Sequence, residues 1–216
     1  MYRKVDMEHW PRRDHYEFYT QQLGCGFSVS AELDITKFRQ VQQQQGARFY
    51  AALIHCISYC VNNQEEFRLR LRDGELVAYD VVHPNYTIFH QDDHTFTDVW
   101  TEYQEEFGGF YNRVTEEMDR YAQVKGMKAK PTQPPNFFCV SCTPWLSFTG
   151  VSMIREGGMP FMPIITCGRY TLRDGRLYMP IAVTISHAVA DGYHVSMLMQ
   201  QLQQRMDETE NWLHLE

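Results

Sequence analysis

Ser186-His187-Ala188-Val189-Ala190-Asp191-Gly192 marks the point where the chain changes from one kind of structure to another. On its N-terminal side, Tyr178 to Ile185 follows the hairpin signal Arg173-Asp174-Gly175. It ends in an apolar, largely β-branched run, Ile181-Ala182-Val183-Thr184-Ile185, which predicts a strand. On its C-terminal side, Val195, Leu198, Met199, Leu202 and Met206 recur at helical spacing and predict a helix over Gly192 to Met206. Asp191 stands where it can cap that helix or hold negative charge at its start. A histidine at the strand's end, just before an Asp-Gly helix start, brings a base close to free backbone N–H groups.

Outward from this junction the same reading covers most of the chain. Phe27 to Asp34 alternates strictly and predicts a strand, after which Asp34 caps a helix through Ile35, Phe38 and Val41 that stops at Gly46. Ala47 to Val61 is apolar almost all round, so it predicts a helix buried in the core, with His55 as a hydrogen-bonded core residue. Phe67 to Leu71 and Glu75 to Val81 flank the hairpin signal Arg72-Asp73-Gly74. Tyr86 to His90 predicts a further strand, and His90-Gln91-Asp92-Asp93-His94 reads as a polar loop. From Thr97 to Val124 a stripe of Trp100, Tyr103, Phe107, Tyr111, Val114, Met118 and Tyr121 predicts one long packing helix, kinked at Gly108-Gly109. Gly126 to Pro135, rich in Lys and Pro, is expected to be a mobile loop. Asn136 to Trp145 and Phe161 to Thr171 are strand candidates. Between them, Leu146-Ser147-Phe148-Thr149-Gly150-Val151-Ser152 is either a source of hydrogen-bond donors or an ordinary Ser/Thr turn. In the charged, aromatic stretch from Met1 to Tyr19, Arg12 and Arg13 are either a solvated pair or include one arginine buried against a carboxylate.

Composition narrows the function. With 216 residues, 44% hydrophobic and 14% aromatic, the chain is read as a single domain over 1–216 with a substantial core. A net charge of -7 argues against non-specific nucleic-acid binding. No apolar run is long enough for a membrane span and no signal-peptide layout opens the chain, so the cytoplasm is the expected location. Cys25, Cys56, Cys60, Cys139, Cys142 and Cys167 lie in apolar surroundings and are read as reduced core residues. Cys139 and Cys142 are formally C-x-x-C, but residues three apart on a strand point to opposite faces and cannot share one metal. Phosphate-loop, nucleophile-elbow and complete dinucleotide-binding motifs are all missing. His187, Asp191 and His194 carry metal-ligand types, yet Gly192 and the strand pattern break the helix that would align them, so no metal is expected. The reading that remains is general-base catalysis. A neutral imidazole at His187 takes a proton from a hydroxyl near neutral pH, as acyl transfer requires, with Asp191 organising the site.

His187-Ala188-Val189-Ala190-Asp191-Gly192-Tyr193-His194 resembles the signature of the chloramphenicol acetyltransferase family of trimeric coenzyme-A-dependent acyltransferases. Trp10 to Tyr19, Cys25-Gly26-Phe27-Ser28, Phe89-His90-Gln91, Pro144 to Phe148 and Pro163-Ile164-Ile165-Thr166 resemble the same family, in its order and across essentially the whole chain. The resemblance implies an α/β fold with a mixed β-sheet covered by helices, assembled as a homotrimer. It implies acetyl-CoA as co-substrate and chloramphenicol as acceptor, in a ternary complex at the subunit interface. His187 would be the base and Asp191 would pair with Arg12. Thr166 would help stabilise the tetrahedral intermediate, and Phe18, Tyr19, Leu23 and Phe27 would line the acceptor pocket. Arg169 and Tyr170 stand where the family has a basic-aromatic pair near the nucleotide.

The chain departs from the family pattern at two positions. Ser186 replaces the histidine usual before the base. Gly150 stands where the family has a serine supporting the oxyanion, which leaves Ser147, Thr149 or a backbone N–H freed by Gly150 to act in its place. Other readings within reach are the same chemistry on another hydroxyl compound, a non-catalytic trimeric binder of small hydrophobic molecules, and a detached lipoyl-type acyltransferase core. The last would show a lipoyl or linker region.

Overall fold

A computed structural model describes residues 1–153 and 158–215. Its centre is β10 (Arg176–Ser186). This strand pairs antiparallel with β2 (Gly26–Asp34), from Tyr178 opposite Asp34 to Ser186 opposite Gly26. On its other edge it pairs antiparallel with β8 (Ile164–Gly168) and with β9 (Thr171–Arg173). From β8 the sheet continues in parallel through β7 (Phe137–Thr143) to β5 (His83–Phe89), and antiparallel to β6 (Phe96–Trp100). Among the described residues this makes a seven-stranded mixed sheet. A second sheet has the order β1 (Tyr2–Lys4), β4 (Glu75–Tyr79), β3 (Leu69–Arg72). The turns closing β3–β4 and β9–β10 use Asp73-Gly74 and Asp174-Gly175. All four residues have positive φ, as a two-residue hairpin of the strand-compatible hand needs.

One face of the large sheet is apolar: Leu33, Ile181, Val183, Ile185, Ile165, Val140 and Phe138 all enter the core. Among the described residues five α-helices complete the structure: α1 (Arg13–Gln21), α2 (Thr36–Gln44), α3 (Phe49–Asn62), α4 (Phe107–Arg120) and α5 (Gly192–Asp207). α3 is buried from Ala51 to Ser58 without a break, which explains why its sequence lacks a polar stripe. His55 lies inside it at 0% exposure, with Nε2 on the Glu105 carbonyl at 3.0 Å, and burial pushes its imidazole down to about 4. Among the described residues no helix is long and apolar enough to cross a membrane.

The expected helix over Thr97 to Val124 is shorter by its first ten residues. Phe96–Trp100 is β6, with Thr97 and Val99 buried between less buried neighbours and Phe96 opposite Phe89. Trp100 and Tyr103 therefore precede the helix. Gly108 and Gly109 do not kink it: they form its first turn, where their N–H groups donate to the Glu106 carboxylate at 2.5 and 2.7 Å. Two expected strands also divide or shorten. Phe161 to Thr171 yields β8 and the start of β9, and Asn136 to Trp145 narrows to β7. Phe67 lies in a 3-10 turn (Glu65–Arg68) before β3. The Lys- and Pro-rich loop is pinned where mobility was expected. Ala129 N–H donates to the Asp98 carbonyl at 3.0 Å, and Lys130 meets Glu117 at 2.7 Å while lying 4.5 Å from the Trp100 ring centre.

Candidate active site

The end of β10 is drawn into a tight turn. The His187 N–H donates to the Cys25 carbonyl at 3.0 Å, one step beyond the strand register. The Ala188 N–H then donates to Ser186 Oγ and the Val189 N–H to the Ser186 carbonyl, both at 3.3 Å. Ala188, Val189 and Ala190 are fully buried, so the turn is anchored in the core and only His187 projects from it. Its ring stacks on Tyr19 at 4.1 Å and 5°, and Phe27 lies against it at 4.8 Å. Tyr19 comes from α1 (Arg13–Gln21) and Phe27 from β2. His187 Nδ1 is buried against this packing with no hydrogen-bond partner, which leaves Nε2 as the nitrogen on the open side.

Asp191 is the N-cap of α5, where its Oδ1 accepts from the Tyr193 N–H at 3.0 Å. Its Oδ2 accepts from Arg12 Nη1 at 2.5 Å, and Arg12 Nη2 reaches the His187 carbonyl at 3.3 Å. Burial acts to raise the Asp191 carboxyl, but the Arg12 bond, His194 and the Tyr193 N–H outweigh it and hold it below the usual carboxylate range. The two arginines of the N-terminal stretch part company. Arg12 is nearly buried in this ion pair, whereas Arg13 bonds Glu17 at 2.9 Å on the exposed side of α1. Phe18 packs on Tyr19 at 5.1 Å, but both Phe18 and Leu23 remain largely exposed. His194 turns to Asp191 and His187 to Tyr19, so these side chains do not converge as metal ligands.

Thr166 lies elsewhere. It stands opposite Ala182 on β10, which stands opposite Ser30 on β2, while Ser141 flanks Thr166 on the far side. This row occupies the sheet face turned away from the helices, since its strand neighbours Ile181, Val183 and Ile165 fill the core. His187 is five residues beyond Ala182, about 16 Å along the strand direction. The Ser147–Gly150 turn crosses this same face. The Val151 N–H reaches Ser30 Oγ at 3.4 Å, and a Cβ on Gly168 would meet the Leu146 carbonyl and the Phe148 ring, each at 2.9 Å. A Cβ on Gly150 would meet nothing within 4 Å. Thr166 and the turn thus share one face, apart from His187 of the same chain. Ser30 joins them with no signal in the sequence beyond its place on an alternating strand.

Arg169 and Tyr170 open a third area. With Phe49, Tyr50, Trp145 and Phe89 they line a cavity of about 610 Å³. It lies at the carboxyl ends of the parallel strands β5, β7 and β8, the usual ligand position in sheets with parallel strands. Its walls are mainly apolar and aromatic, with one guanidinium, which suits a ligand that combines a flat ring with phosphate. Phe49, Tyr50 and Trp145 were not recognisable from sequence, because helix starts and strand ends meet here only in the folded chain.

Similarity to known proteins follows the same outline. A family model described as chloramphenicol acetyltransferase matches residues 1–203. A chloramphenicol acetyltransferase of Clostridium butyricum is 34% identical over 97% of this chain and 96% of its own length. One from Escherichia coli is 35% identical over 96% of this chain and 94% of its own. A solved chloramphenicol acetyltransferase structure superimposes with a TM-score of 0.85 at 25% identity, covering 95% of this chain and all of that one.

Proposed function

The chain belongs to the chloramphenicol acetyltransferase family and is an acetyl-CoA-dependent O-acetyltransferase, and on that premise we propose that it acetylates a hydroxyl of chloramphenicol with His187 as general base. The observation that carries this reading is the placement of His187. Its ring is fixed by two aromatic faces, its turn is tied by Arg12 and Asp191, and Nε2 alone is open. In this reading Nε2 takes the proton of the acceptor hydroxyl as its oxygen bonds to the acetyl carbon. The carbon–sulfur bond breaks, and the proton passes to the departing thiolate. Both substrates are held together in a ternary complex. Asp191 and Arg12 keep the turn in shape without taking the proton themselves.

The separation of His187 from Thr166 supports a site shared between copies of the chain in a homotrimer. His187 of one copy would face Thr166, Ser30 and the Ser147–Gly150 turn of the next. Phe18 and Leu23, exposed in the single chain, would then line the acceptor pocket with Tyr19 and Phe27. The aromatic cavity at Arg169 and Tyr170 would hold the nucleotide end of acetyl-CoA.

The test is release of free thiol by purified protein given acetyl-CoA and chloramphenicol, beside a His187→Ala control. Release that needs both substrates and His187 is the expected result. No release, or release that survives the substitution, would overturn the acceptor or the base, respectively. A fully active monomeric variant would overturn the shared site.

A further inference from the structure

We infer that His194 is a positioning residue for the acyl-transfer site, acting through Asp191 and Arg12 on the backbone of His187. The inference rests on the acetyl-transfer reading above. His194 is the third residue of α5, and its ring is held at both nitrogens. Nδ1 lies 3.2 Å from the Asp191 N–H and 2.9 Å from Asp191 Oδ1. Nε2 faces Glu66 Oε1 at 3.5 Å, from the 3-10 turn that leads into β3. The side chain is only 16% exposed. A continuous chain of contacts therefore runs from Glu66 to His194, Asp191 and Arg12, ending on the carbonyl of His187.

The residue type matters at this position. A reciprocal helix cap normally puts Glu or Gln here to accept from the N-cap N–H. A glutamate would set a second carboxylate beside Asp191 and compete for Arg12. The histidine supplies the acceptor atom without that negative charge. With Nδ1 accepting from the Asp191 N–H, the ring proton is on Nε2, which faces the Glu66 carboxylate, while the Tyr193 N–H holds Asp191 Oδ1 and the Arg12 guanidinium holds Oδ2. Without the ring, Asp191 loses the acceptor for its own N–H and is free to rotate. The second tie, from Arg12 to the His187 carbonyl, loosens with it.

The test compares His194→Ala, His194→Leu and His194→Asn in the full-length protein. Asn places its amide oxygen about where Nδ1 stands, whereas Leu fills part of the ring's space and offers no acceptor. Alanine and leucine are expected to lower kcat about 10- to 100-fold, with KM for both substrates changed less than about threefold, as expected when a reacting group is displaced slightly. Asparagine is expected to stay within about threefold of the parent. Combined with Asp191→Asn, the alanine effect should not multiply. In ¹⁵N-labelled protein the His187 ring signals should move in the alanine and leucine variants and stay in place in the asparagine variant. Equal activity in all the variants, equal impairment of Asn and Leu, or effects that multiply with Asp191→Asn would overturn the inference. If alanine fails to fold, the Asn–Leu contrast decides. If the parent releases no thiol, the acetyl-transfer reading fails by itself, and the ring signals still decide whether His194 positions His187.

Discussion

Among the described residues, two histidines each pack against more than one aromatic ring, and their surroundings differ. His55 on α3 is enclosed by Phe107, Phe110, Trp212 and Tyr103, has no exposure, and its Nε2–H donates to the Glu105 carbonyl. His187 has Tyr19 and Phe27 against its ring, yet one nitrogen stays open. Aromatic packing alone therefore does not make a histidine structural or chemical. What separates the two is whether the packing closes over Nε2 and what holds the backbone beneath the ring. At His55 an uninterrupted buried helix does this. At His187 it is a buried turn tied by an ion pair from a distant segment.

The widest separation between the two is expected on substitution. His187→Ala should lower kcat about 10²- to 10⁴-fold, the range for a general base, while its melting temperature stays near the parent's. Steady-state thiol release and thermal unfolding measure both. A large fall in melting temperature with modest loss of turnover would put His187 on the structural side and erase the contrast.

The second separation is in pH. His55 has a folded-state value of about 4 against 6.5 when free, so the unfolded chain binds the proton first. Its contribution to stability is complete above pH 6.5 and is lost as pH falls from there towards 4, by at most about 3 kcal/mol. His83, lowered by burial, adds a loss of the same sign. Urea unfolding at pH 7 and pH 4.5 should show the fall in the parent and a smaller one in His55→Gln. An equal fall in both proteins would assign the acid sensitivity to other groups.

How far each region was readable follows from the range of its interactions. The β10–α5 junction was legible because its alternation, helical spacing and capping carboxylate are all local. The β6–α4 region was not. Trp100, Tyr103 and Phe107 continue a helical spacing by coincidence, and what decides the matter is the pairing of Phe96–Trp100 with β5 and the Glu106 cap on Gly108 and Gly109. In the candidate site, His187, Asp191 and Arg12 were readable from the family signature, and the fold brings them together. Ser30, and the aromatic cavity where β5, β7 and β8 end, arise only from register between segments far apart in sequence.

The two neighbouring arginines extend the comparison to the support of the turn. Arg12→Ala removes a nearly buried ion pair and should cost about 1 to 3 kcal/mol, below the full figure for a buried pair because Asp191 is partly exposed. Turnover should fall with it. Arg13→Ala breaks an exposed pair with Glu17 and should change stability by no more than about 0.5 kcal/mol, with turnover unchanged. Equal costs at the two positions, measured by denaturant unfolding, would mean that the tie to Asp191 does not support the turn.

The smallest effect on stability is expected at Gly150→Ser, and it probes the proposed second half of the site. Gly150 does not have positive φ, and a Cβ there would meet nothing within 4 Å, so a serine fits with a stability change of about 0.5 kcal/mol or less. Its hydroxyl would stand on the sheet face that carries Thr166 and Ser30, where the described residues supply neighbouring hydroxyls and backbone N–H groups. If those groups already serve the developing negative charge, turnover should change less than about threefold. If the site lacks a donor, the added hydroxyl should raise kcat towards the about hundredfold that one such donor contributes elsewhere. Either outcome depends on His187, so the double variant with His187→Ala should show no gain. A gain that persists without His187 would separate the two halves and argue against a site that they share.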